Sequence, residues 1–147
     1  MPFAIGDTFV WCPPGTGIDH LWILISDPAA HAGKCVLVNL TESSHGKLSY
    51  TLTVGQHRWI YKDSDVNFGD AFQTSIENLS AHVSLGSAIP HDKMDSLIVN
   101  EIILRAKTTR HSLQYFANCC PCSLKFKLPH YQRPGRGRPF DSDKLQL

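Results

Sequence analysis

Short apolar runs separated by turn-forming residues fill the first half of the chain. After Gly6-Asp7, Phe9, Val10 and Trp11 form a brief run that stops at Pro13-Pro14. The stretch "HLWILIS", residues 20–26, follows the turn-rich Pro13–Gly17 segment and closes at Ser26-Asp27-Pro28. "KCVLVNLT" (34–41) and "SYTLTV" (49–54) alternate with the period of two expected of strands. "HRWIYK" (57–62) and "DVNFGDAFQ" (65–73), the latter interrupted by Gly69, complete the series. Runs this short and this rich in β-branched and aromatic residues predict strands, and their close spacing predicts a small barrel or sandwich.

Beyond Pro90 the spacing changes. Met94, Leu97, Ile98, Ile102 and Leu104 recur mostly at steps of three and four, which predicts a helix over 92–106. Asp92 is the expected N-cap, and Arg105, Lys107 and Arg110 suit the negative end of the helix dipole. The fold expected is therefore mainly β (α+β): residues 5–72 form an antiparallel barrel on which the helix packs. Residues 1–118 read as one domain. Residues 119–147 read as a flexible basic tail, rich in proline and glycine, with Lys125, Lys127, Arg133, Arg136 and Arg138 and no acid over 125–138. Such a tail is either a solvated end or an auxiliary phosphate contact.

Composition narrows the class without choosing a function. Of the 147 residues 42% are hydrophobic and 18% charged, as in an ordinary globular domain. A formal net charge of +1 provides no global field toward nucleic acid or anionic lipid, so any such attraction must be local. No apolar stretch approaches the roughly 20 residues that span a bilayer. The N-terminal residues lack the basic segment of a signal peptide, and a cytoplasmic location is expected. Five cysteines, three of them in "CCPC" at Cys119, Cys120 and Cys122, make a poor disulfide framework. They read as reduced thiols. Zinc would need a second ligand pair that the positions of His111 and His130 do not impose, so no metal or cofactor is expected.

Candidate chemistry gathers in the strand-rich half. His20 enters the second strand and Thr41 leaves the third. If the loop 26–34 joins these strands as antiparallel neighbours, the two residues share one sheet edge. The segment "GQHRWIYKDSDV" adds His57, Arg58, Lys62 and Ser64. A histidine moves a proton near neutrality, while a hydroxyl and a cation hold nonbridging phosphate oxygens. Two histidines, His20 and His57, would divide the acid and base roles. Singly, each residue has a plainer reading as a turn hydroxyl, a solvated charge or a hydrogen-bonded ring. Trp22, Trp59 and Tyr61 either stack on bases or fill the core, with core packing expected for two of the three. P-loop, zinc-protease and nucleophile-elbow motifs are absent.

The order Gly6-Asp7, "HLWILISDP", "CVLVNLTES" and "VGQHRWIYKDSDV" resembles the PemK/MazF-like group of small SH3-like barrels over about residues 5–72. The resemblance implies a metal-independent endoribonuclease toxin of a toxin–antitoxin pair, forming a homodimer and bound by a cognate antitoxin protein. It implies RNA cleavage by the ribose 2′-hydroxyl, leaving a 2′,3′-cyclic phosphate. Thr41 falls where that family keeps its catalytic threonine, and His20 stands where it keeps an arginine. Carried over, the catalytic candidates are His20, Thr41 and His57, and the substrate-binding candidates are Arg58, Lys62, Ser64 and Trp22. The competing expectation is a non-catalytic SH3-like module that binds peptide or nucleic acid.

Overall fold

In the computed structural model, residues 3–14, 17–43 and 50–108 are described. The expectations for the basic tail and for Cys119, Cys120 and Cys122 lie outside these residues. The apolar runs become strands β1 (Thr8–Trp11), β2 (His20–Leu24), β3 (Lys34–Glu42), β4 (Thr51–Leu52) and β5 (Ser64–Ser75). Helix α1 (Ile76–Ser84), strand β6 (Ala88–His91) and helix α2 (Ser96–Ala106) follow. Among the described residues the six strands form one antiparallel sheet in the order β4-β5-β3-β2-β1-β6, curled into a half-barrel.

Alternation along the strands divides the core in two. Leu21, Ile23, Val36, Val38, Leu40, Val66, Phe68 and Ala71 point to the inner face. There they meet Met94 and the buried stripe of α2, Val99, Ile102 and Ala106. Phe9, Trp11, Trp22, Leu24, Cys35 and Leu37 point to the outer face and pack under Leu79 of α1. Each fully buried Leu, Ile or Phe contributes ~1.5–3 kcal/mol of transfer free energy, so both layers are needed in a chain this short. The sheet bends where the β3–β5 register shifts between Leu37 and Asn39. Opposite Val38 alone lie residues 68–71, and the Asn67 side chain caps this bulge by accepting from the Gly69 and Asp70 amides. Gly69, the interruption in the pattern, stands in this bulge.

Two sequence expectations need correction, and two elements went unread. "HRWIYK" is not a strand. Residues 53–63 form a turn-rich loop, because the His57 carbonyl accepts from the Ile60 amide at 2.9 Å and the ring Nδ1 from the Trp59 amide at 3.1 Å. The second helix starts later, capped by Asp95, whose carboxylate accepts from the Leu97 and Ile98 amides. Asp92 is held in extended chain just after β6, and Met94 donates its amide to the Gly6 carbonyl at 2.9 Å. Finally, α1 and β6 gave no clear periodic signal: α1 buries only Leu79 and β6 only Ala88. Ser75 nonetheless caps α1 through the Asn78 amide.

The loop 53–63 closes the half-barrel. Strands β4 and β6 lie at opposite ends of the sheet and are not paired to each other. His57, buried in this loop, donates its Nε2–H to the Asp92 carbonyl at 2.7 Å, just beyond β6. The same carbonyl accepts from the Thr8 hydroxyl on β1 at 2.7 Å. One imidazole thus ties the β4–β5 connection to β1 and to the segment after β6. Replacing His57 with leucine leaves the Trp59 amide without its acceptor and removes a donor from Asp92. His57→Leu is expected to lower the unfolding free energy by about 1–3 kcal/mol in urea titrations. An unchanged midpoint would show that the seam carries no stability.

Candidate functional site

At the open ends of β2 and β3 the outer face turns from apolar to polar. The β2–β3 ladder pairs Trp22 with Asn39, Ile23 with Val38 and Leu24 with Leu37. Continued by two steps, the same register sets His20 opposite Thr41. Both residues are half-buried. The His20 Nδ1 lies 3.0 Å from the Leu40 carbonyl oxygen. A carbonyl only accepts, so Nδ1 carries the proton and Nε2 is left as the ring's lone-pair nitrogen. The Trp22 ring stands edge-on to the imidazole, with centroids 6.4 Å apart. Among the described residues, neither His20 Nε2 nor the Thr41 hydroxyl has a hydrogen-bond partner within the protein.

The polar strip continues across the sheet. Thr41 pairs in register with Asp65, and Asn39 with Asn67. Asp65 is buried and accepts a 2.6 Å hydrogen bond from the Thr51 hydroxyl. Asn39 is only 2% exposed, and its Oδ1 has no hydrogen-bond partner. A buried amide oxygen without a donor costs stability in any fold that could place an apolar residue there. Asn39, Asp65 and Thr51 escaped the sequence reading. Their one signal was an asparagine inside the apolar alternation of "CVLVNLT".

The other residues singled out from sequence are dispersed. His57 does not join His20 and Thr41. It contacts Thr8, which pairs with Ile23, whereas His20 pairs with Trp11 at the other end of the same ladder. Thr8 shares its face with Val10, which packs on the inner core, while His20 shares its face with Trp22 of the outer core. Both ring nitrogens of His57 are engaged, Nδ1 by the Trp59 amide and Nε2 by Asp92. Trp22 is buried at 1% exposure, its indole N–H donated to the Trp11 carbonyl at 2.9 Å, so it packs and does not present a ring to solvent. Trp59 is half-buried against the inner core, and Tyr61 is 72% exposed. Ser64 donates its hydroxyl to the Lys62 carbonyl. Lys62 makes an exposed ion pair with Glu42 at 3.1 Å and lies 5.9 Å from the centre of the Tyr61 ring. Arg58 is exposed and lines an open cleft with Trp59, Pro90, His91 and Asp92.

No group of three or more His, Cys, Asp or Glu side chains among the described residues is placed to hold a metal ion. Nor is any described helix long and apolar enough to cross a membrane. Comparison with protein-family models, curated proteins and solved structures finds no match to the chain.

What the polar strip offers chemically is a proton acceptor of fixed tautomer beside an unengaged hydroxyl. Asn39 shows which of its residues are kept at a cost. Asn39→Leu is expected to leave stability unchanged or to raise it by about 1 kcal/mol, since it removes an unmet acceptor from the interior. Chemical denaturation decides this. A clear loss of stability would mean that Oδ1 is satisfied in solution.

Proposed function

We propose that the protein is an RNA-cleaving enzyme built on a small SH3-like barrel of the PemK/MazF-like kind, with His20 and Thr41 at its centre. The observation that carries this reading is the His20 imidazole. Its Nδ1–H is fixed on the Leu40 carbonyl, and its free Nε2 stands at the strand ends where Thr41 leaves β3. The sequence resemblance supports the substrate class and the expectation of a homodimer with a cognate antitoxin.

The chemistry needs little more than these groups. Nε2 of His20 takes the proton of a ribose 2′-hydroxyl, and the 2′-oxygen forms its bond to the adjacent phosphorus. The Thr41 hydroxyl donates to a nonbridging oxygen as negative charge grows there. The bond from phosphorus to the 5′-oxygen breaks, and that oxygen takes a proton from solvent water. A 2′,3′-cyclic phosphate and a free 5′-hydroxyl result, and the imidazolium returns its proton to solvent. His57 has no part in these steps, because its ring bonds hold the fold together.

Incubating the purified protein with a mixed RNA substrate tests the reading. The expected products carry cyclic phosphate ends in the presence or absence of chelator. His20→Ala and Thr41→Ala should each reduce the rate by about a hundred-fold or more while the circular dichroism spectrum is kept. Thr41→Ala should lower kcat more than it raises KM, because its bond strengthens in the transition state. RNA bound but left intact by the wild type would favour the non-catalytic binding module. Full cleavage by both variants would place the chemistry elsewhere.

A further inference from the structure

The closure seam carries a second feature that the cleavage site does not use. An open cleft of about 620 Å³ lies between the turn at Arg58-Trp59 and the segment Pro90-His91-Asp92. Its two walls belong to distant parts of the chain, and His57 joins them: Nδ1 holds the Trp59 amide and Nε2–H the Asp92 carbonyl. The cleft is thus preformed by partly buried bonds, with Trp59 half-buried at its base. Arg58, His91 and Asp92 are all exposed. Among the described residues none of the three side chains makes a hydrogen bond or ion pair, although a guanidinium and a carboxylate line one cleft. The other exposed cations with an acid at hand, Lys62, Lys93 and Arg105, are paired with Glu42, Asp7 and Glu101.

We propose that this cleft binds one nucleotide of a single-stranded RNA, with guanine as the preferred base. The inference rests on RNA being the substrate of the His20–Thr41 site. The half-buried indole of Trp59 and the exposed Pro90 line the cleft, and a base can stack on the part of the indole left open. Arg58 supplies a planar fork for the phosphate, and His91 a second donor when protonated. Asp92 discriminates. A carboxylate accepts two hydrogen bonds side by side, and guanine presents the N1–H and the amino group next to each other on its pairing edge. Adenine and cytosine present one amino donor there, and uracil one imino donor. The loop then returns toward the catalytic strands. Tyr61 and Lys62 follow in sequence, and Asp63 accepts from the Ser43 amide at 3.3 Å, two residues past Thr41. A strand held in the cleft therefore lies on the same loop that ends beside β3.

The test separates binding from cleavage. Fluorescence anisotropy would follow the full chain binding to short labelled oligonucleotides with 2′-O-methyl ribose, which cannot be cut by a 2′-hydroxyl. One probe carries guanine at a central position, and the others carry adenine, cytosine or uracil there. The guanine probe should bind about ten-fold or more tightly than the rest. Asp92→Asn should remove that preference, since an amide offers only one acceptor. Arg58→Ala should weaken all probes alike and flatten their salt dependence. Both cleft substitutions change exposed side chains, and the Asp92 carbonyl that His57 needs is kept. Equal affinity for all four bases, unchanged binding by Arg58→Ala, or no binding of any probe would overturn the proposal. Cleavage of natural RNA by the same preparation reports on the His20–Thr41 site independently.

Discussion

The fold depends on one carbonyl oxygen. Asp92 accepts from the Thr8 hydroxyl and from the His57 ring, and through it three separate parts of the chain meet. An open curled sheet has two unpaired edges, and natural sheets must cover or close them. Here β4 has only two residues and β6 only four, too little ladder to pair across the gap. A side chain does the joining. The imidazole suits this position because it offers one donor and one acceptor on opposite sides of a rigid ring, and both are used. Its loop also delivers Ile60 and Trp59 to the inner core, so closure and packing reinforce each other.

With the seam closed, the two faces of the sheet acquire different tasks. The inner face is mostly apolar and covered by α2, with Thr8 as its polar member at the seam. The outer face is apolar only under α1, where Trp11, Trp22 and Phe72 stack edge to face. Past Trp22 it becomes polar, with His20, Asn39, Thr41 and Asp65. The unsatisfied Asn39 oxygen marks this end as one where a stability cost is tolerated, a common property of working sites. His20 and His57 are both held by backbone hydrogen bonds, yet to opposite effect. One has its Nδ1–H tied to a carbonyl and keeps Nε2 available; the other has nothing left to give.

Much of this was legible in the residues. Short apolar runs, alternating in β3 and β4, located β1, β2, β3, β4 and β5 to within a few positions, because the central strands bury side chains on both faces. Antiparallel pairing of β2 and β3 followed from the short connecting loop, and with it the approach of His20 to Thr41. "HRWIYK" misled because its aromatic and β-branched residues have strand propensity, whereas it turns on bonds to His57 from Trp59 and Ile60 and is anchored by the His57 ring on Asp92. No local pattern encodes a partner 35 residues away. Helix α1 was hidden by having a single buried residue, and the cleft by having its walls in separate segments.

The central claim is that the two histidines are locked in opposite tautomers for opposite purposes. Long-range proton–nitrogen correlation spectra of the imidazoles, recorded in alkaline buffer, test it most directly. The expected spectrum shows His57 protonated at Nε2 and His20 protonated at Nδ1. A His57 ring protonated at Nδ1, or a His20 ring protonated at Nε2, would contradict the account of both the seam and the site.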